Sequence, residues 1–292
     1  MTNYTDDYDN IKKQSQWREV WRRLKKSKPA MFGLFVILAL ILMAVFADFV
    51  APFHYDDQDL SRRFLRPNAT HWLGTDNFGR DILSRIIFGS RISLQVGIIS
   101  VGIAATVGAA LGAISAFYGR WLDHLIMRSM DILLAIPGML LAIAIASALG
   151  PGMRNMMIAI GISSIPAYAR IVRSSVLTIK QQEFIEAAES IGASNFRIIV
   201  KHIMPNAAAP LLVQTTLGVA GAVLSAAALS FLGLGIQPPA PEWGAMLSAA
   251  RQFIRDHWHM TTFPGLVIML TVYSLNVFGD GLRDALDPRL KD

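Results

Sequence analysis

The chain has 292 residues, of which 53% are hydrophobic and only 16% charged, well below the roughly 25% charged of an average soluble domain. It contains no cysteine, which excludes a disulfide framework and a thiolate metal site. Its net charge of +6 would suggest nucleic acid in a soluble protein, but Lys and Arg gather here beside long apolar runs, which indicates a membrane protein and no nucleic-acid partner.

A spanning helix needs about 20 predominantly apolar residues, somewhat fewer when flanking side chains snorkel. The first candidate is 31–47. A long polar segment precedes it and no small-x-small site follows before Asp48, so it is expected to stay as an anchor rather than be cleaved. Next comes a polar stretch with turn signals at Pro67-Asn68 and Gly74-Thr75-Asp76. There Ile82, Leu83, Ile86 and Ile87 then alternate with Arg80, Ser84, Arg85 and Arg91, which reads as a helix lying along the membrane interface. Further spans are expected at 92–118, 132–150, 155–169 (continuing past Arg170), 210–235 and 260–279. The expectation is an all-α membrane protein with six transmembrane helices.

Within these spans, Gly102, Ala105, Ala109, Gly112 and Ala116 recur at helical spacing, as do Gly218, Ala222 and Ser225, which predicts close helix packing. Pro137-Gly138 and Pro166 can break the third and fourth helices. Asp131 is the acid placed inside a span; pairing with Arg128 one turn away, lining of a pathway and a proton relay are all open to it. Gln214, Thr215, Ser163, Tyr273 and Asn276 are uncharged polar residues in spans, and are candidates either for interhelical hydrogen bonds or for a translocation path. Residues 236–258 carry Trp243 and Trp258, which suit the headgroup level.

The segment 177–206 is unlike an ordinary membrane turn. Phe184, Ile185, Ala188 and Ile191 share a helical face, with Glu186, Glu189 and Ser190 elsewhere. Gly192 can supply the left-handed residue that closes this helix. Ser194 can cap a second helix, 195–204, which Pro205 is expected to end. A helix, a bend and a second helix on a membrane surface suit a partner's groove.

Orientation follows from the positive charges. With the N-terminus inside, the N-terminal segment, the turn before the third span, segment 177–206 with its approach, and the C-terminus hold eighteen of the 27 Lys and Arg, leaving nine outside. N-in, C-in is the expectation, with segment 177–206 in the cytoplasm.

Glu186-Ala187-Ala188, Gly192, His202 and Pro205 lie at the spacing of the coupling motif of ABC importer permeases, and the chain resembles that family. His71-Trp72-Leu73-Gly74-Thr75-Asp76, Leu229-Ser230-Phe231-Leu232-Gly233-Leu234-Gly235 and Asn276-Val277-Phe278-Gly279-Asp280-Gly281 are similar to stretches of its peptide/nickel branch, in the C-type subunit. His202 and Met204 stand where the generic motif has Ile and Leu, and His at that place fits the peptide branch. The resemblance covers the chain from its first span onward. It implies the type I importer permease fold with a cytoplasmic coupling helix, in the cytoplasmic (inner) membrane of a prokaryote. Residues 1–90 would hold the N-terminal segment, first helix and external segment, and 91–292 a five-helix core with the coupling loop. It further implies a B-type permease partner, two cytoplasmic ABC ATPases that bind ATP and Mg, an extracytoplasmic solute-binding protein, and a di- or oligopeptide, nickel-chelate or glutathione cargo.

The chain shows no Gly-Lys-Ser/Thr phosphate loop and no nucleophile–base signature, so an enzyme is not expected, nor a cofactor of its own. The six histidines form no ligand pair on one helix face, so neither is a metal site. An ion-coupled secondary transporter, which would need broken helices around a charged midplane site, is the competing transport class.

Overall fold

The computed structural model describes residues 16–286. Lys12, Lys13, Ser15, the Asp287-Pro288-Arg289 stretch and Lys291 lie outside the described residues. The order is α1 (Gln16–Lys26), α2 (Lys28–Val45), α3 (Ala47–Val50), an irregular segment, α4 (Ile82–Tyr118), α5 (Arg120–Leu134), α6 (Gly138–Leu149), α7 (Met153–Ile179), α8 (Glu183–Ser190), α9 (Asn195–Ile198), a π-turn (Ile199–Ile203), α10 (Met204–Asn206), α11 (Ala208–Phe231), α12 (Trp243–Ala250) and α13 (His259–Leu286). Among the described residues, five helices are long and apolar enough to cross a membrane, and the bent pair α5–α6 makes a sixth if taken as one span.

Two helix groups share α4 and α11. One core joins α4, α6, α7 and α11 through residues such as Val101, Ala146, Ile160, Tyr168 and Leu229. The other joins α2, α4, α11, α12 and α13 through Val36, Leu40, Val223, Trp243 and Ile268. Small residues set the α4–α7 distance: a side chain on Gly108 would meet Tyr168 Cβ at 2.6 Å and Ile165 O at 2.8 Å, and one on Gly112 would meet the Ala169–Arg173 backbone. Such close approach is what a small-xxx-small stripe provides. Gly102 departs from that expectation, since nothing lies within 4 Å of where its Cβ would stand.

Four further expectations are corrected. The interfacial helix is not separate: α4 runs unbroken for 37 residues, roughly 55 Å, which exceeds the membrane thickness, so its first turns rise into a polar cap at one end of the bundle. Ser84 and Arg85, read as a solvent face, are buried there with Ile82, Ile86 and Ile87. The third span is bent where Pro137-Gly138 allowed a break, α5 and α6 meeting at 89° across Ala135–Pro137; Pro137 disfavours helical geometry in the residue before it and cannot donate a backbone hydrogen bond. Pro166, by contrast, lies inside continuous α7. Trp243 is fully buried, donating from Nε1 to Ile86 O at 3.1 Å, so it locks α12 to α4 rather than sitting among headgroups.

The cap is polar and held by many internal hydrogen bonds, although Asn77 Oδ1, His257 Nδ1 and His259 Nδ1 are buried in it without a partner. Asp81 caps α4 by accepting from Ser84 N and Ser84 Oγ, both at 2.7 Å, and its other oxygen pairs with His71 Nδ1 at 3.0 Å. Asp76 accepts from Arg80 Nε at 2.7 Å, and Arg85 reaches Tyr55 O at 3.0 Å and Pro239 O at 3.3 Å. His259 Nε2 lies 3.2 Å from Thr75 O and so joins α13 to the same segment. The stretch 71–85 is thus the knot that ties the cap to the bundle.

Candidate functional site

Loop 177–206 projects from the end of the bundle that also carries the α4–α5 turn. Lys180 Nζ donates to Phe117 O at 2.6 Å, and Ile185, Ala188, Ile198 and Ile203 are buried against Ala113, Phe117, Val172 and Val176. Helix α8 ends as its glycine demands. Gly192 takes φ +79°, its N–H donates to Glu189 O at 2.9 Å, and Ala193 N–H donates to Ala188 O at 3.1 Å. These are the two bonds of a Schellman closure, which satisfies carbonyls a helix end would leave bare.

The shared apolar face of α8 is divided between two tasks. Ile185 and Ala188 pack on the chain's own bundle, whereas Phe184 is exposed and Ile191 is 85% exposed. Phe196, 76% exposed, extends this patch, and Glu183, Glu186, Ala187 and Glu189 are exposed beside it. The helix is therefore fixed by one side while an acidic and aromatic side is presented outward.

The second half of the loop differs from expectation. Ser194 stands at the N-cap with extended backbone but makes no side-chain cap bond; its carbonyl accepts from Ile198 N at 3.0 Å. Pro205 does not end the helix. A π-turn over Ile199–Ile203 precedes it, Met204 N–H bonds back to Ile199 O, and helical backbone resumes into α11. Asn206 Nδ2 donates to His202 O at 2.6 Å and satisfies a carbonyl in this irregular turn. His202 is half-buried and Pro205 exposed.

The polar residues within the spans do not converge on one cavity. Ser163 Oγ donates to Ile160 O and Thr215 Oγ1 to Leu211 O, each within its own helix. Gln214 accepts from Tyr168 Oη through its carbonyl at 3.2 Å, and lines a cleft of about 830 Å³ between α1, α11 and α13. Tyr273 packs against Phe32 of α2, with ring centroids 6.4 Å apart, and Asn276 is exposed. Asp131 pairs with Arg170 of α7 at 2.6 Å rather than with Arg128. Asp123, which the sequence did not single out, holds Arg173 by two bonds of 2.6 and 2.7 Å and also accepts from Ser115. The signal for these pairs was the pairing of two acids on 120–134 with two arginines near the end of the fourth span, but the partners lie 39 and 50 positions apart.

The family model described as the binding-protein-dependent transport system inner membrane component matches residues 108–292, and that of the N-terminal TM domain of oligopeptide transport permease C matches 15–67. Over 277 residues the chain is 52% identical to the dipeptide transport system permease protein DppC of Alkalihalophilus pseudofirmus, covering 95% of this chain and 91% of that one. It is 46% identical over 282 residues to the glutathione transport system permease protein GsiD of Escherichia coli, covering 95% and 92%. The fold is similar to a chain of the MetNI methionine ABC transporter in an inward-facing conformation, with a TM-score of 0.58 at 18% identity over 70% of this chain and 98% of that one.

Proposed function

The chain belongs to the binding-protein-dependent transport system inner membrane component family, as a C-type peptide/nickel ABC permease, and from that premise we propose that it moves peptides inward by coupling to separate ATPases. In this reading it crosses the cytoplasmic membrane six times with both termini inside. It pairs with a B-type permease and receives cargo from an extracytoplasmic binding protein. ATP and Mg are bound by two partner ATPases, and this chain itself performs no catalysis.

The observation that carries the reading is the two-sided fixing of α8. Ile185 and Ala188 anchor it to the ends of α4 and α7, so a push on its outer side reaches the bundle as rigid-body motion. Glu186 is the proposed contact for a cationic group on an ATPase, with exposed Ala187 allowing close approach and Ala188 seating the helix on the bundle. Gly192 sets the bend, and His202 with Pro205 shapes the return into α11. A ligand-bound groove engaging an amphipathic helix is an established mode of partner recognition. Gln214, Thr215, Ser163, Tyr273 and Asn276 remain proposed path residues.

Dipeptides are the proposed cargo, in line with the 52% identical relative. Glutathione, itself a small peptide, is the second reading, favoured by the 46% identical relative. The assay is uptake of a labelled dipeptide by vesicles bearing the complete complex. Uptake should require ATP and survive a protonophore while ATP is held constant. Collapse under the protonophore would instead support an ion-coupled secondary transporter.

A further inference from the structure

A charged cleft of about 560 Å³ opens between α5 and α7, lined by Asp123, His124, Arg128, Asp131, Arg170 and Arg173, with Met127 in its wall. The Asp131 and Arg170 side chains remain 46% and 54% exposed although they are bonded to each other. Their position makes that exposure informative. Counted along α7, Arg170 lies roughly 24 Å from Arg154 at one end and roughly 15 Å from Lys180 at the other. It directly follows the charge-free run 155–169 of α7, and so stands at the inner end of that span, where the hydrocarbon of about 30 Å gives way. A half-exposed ion pair at that boundary is costly against lipid and belongs beside water.

The charge balance of the cleft is uneven. Each carboxylate is taken by an arginine of α7, Asp123 by Arg173 and Asp131 by Arg170. Arg128 is exposed in the same cleft and, among the described residues, has no hydrogen bond or ion pair. Three guanidiniums thus face two carboxylates. Around the cleft the surface is apolar and uncovered: Leu125, Ile132, Leu134 and Ile136 of the bent α5–α6 segment are all exposed. Such a surface fits a wall completed by the second permease, with the charged cleft as its wet strip.

Resting on the importer reading above, we infer that this cleft is a water-filled stretch of the solute path that accepts the carboxylate of a passing peptide, with Arg128 as its accepting cation. The Asp123–Arg173 pair braces α5 against α7. The Asp131–Arg170 pair is the exchangeable neighbour, able to offer its arginine to the peptide carboxylate and its aspartate to the peptide ammonium. A transient site must hold its solute weakly, and arginines already shared with acids provide that.

The chain's lack of cysteine makes a direct test available. In the assembled transporter in membranes, Met127→Cys should react with small charged methanethiosulfonates, whereas Leu42→Cys, on the exposed face of α2, should not. Met127→Cys should also favour the anionic reagent over the cationic one, and adding Arg128→Gln should cut that preference by roughly fivefold, as removal of one nearby charge would. Arg128→Lys should preserve it, which separates loss of charge from damage to the fold. In uptake, Arg128→Gln should slow a dipeptide with a free carboxylate severalfold and spare the same dipeptide as its amide. An unreactive Met127→Cys, or a reagent preference indifferent to Arg128, would overturn the inference. So would equal loss for both peptide forms. If the unmodified complex carries neither form, the peptide reading fails, while the cysteine chemistry still decides the nature of the cleft.

Discussion

Glu242 illustrates how far a side chain's neighbours govern it. It is 1% exposed, caps α12 by accepting from Ala245 N at 2.8 Å, and precedes the buried Trp243. Burial pushes its carboxyl above the ordinary value of 4.5, with backbone and Ser230 hydrogen bonds opposing only in part. The folded state therefore holds this proton more tightly than the unfolded chain does. Its contribution to stability is full below 4.5 and is lost as pH rises through the higher folded value. Glu242→Gln keeps an acceptor for the cap and removes the ionisation. Thermal unfolding followed from acid to neutral pH should show wild type losing ground to the variant as pH rises; parallel curves would contradict this. In sequence, neighbouring Trp243 looked like a headgroup-level residue. Its burial was illegible because the partner, Ile86 O, lies 157 positions away.

At the scale of elements, spans were legible wherever about 20 apolar residues ran without charge, and poorly legible at their ends. The start of α4 was misjudged because Arg85 and Ser84 look like a wet face until Tyr55, Pro239 and Asp81 are folded over them. The α5–α6 break was announced by Pro137-Gly138, yet apolarity on both sides also read as one span. Glycines were legible as a stripe but not individually. Gly112→Ala sets a methyl against the Ala169–Arg173 backbone, which cannot yield as a flexible side chain would, and should destabilise by about 1–3 kcal/mol as overpacking does. Gly102→Ala enters open space and should be neutral or gain up to about 1 kcal/mol from helix propensity. Thermal melting of the isolated subunit in detergent checks the pair; equal behaviour of the two variants would show that the α4–α7 contact does not limit stability.

For the molecule as a whole, the shape of loop 177–206, the proposed coupling site, was the most legible, since its helix, left-handed glycine and return are local and written in consecutive residues. Its second half was less so: the π-turn before Pro205 has no signature beyond a proline where a helix was expected to stop. The charged pairs of α5 and α7 were missed in part because their partners meet only after the third span bends. The most direct test of the central claim is ATP hydrolysis stimulated by the solute-binding protein, measured on the reconstituted complex carrying Glu186→Arg. Glu186 is exposed and outside the bundle core, so the variant should insert and assemble with its partner permease. Charge reversal would oppose a cationic ATPase surface, and stimulation should fall at least about tenfold, as the loss of a close interfacial charge pair would cause. Stimulation equal to wild type would show that the loop is a solvated connector and that the drive enters the bundle elsewhere.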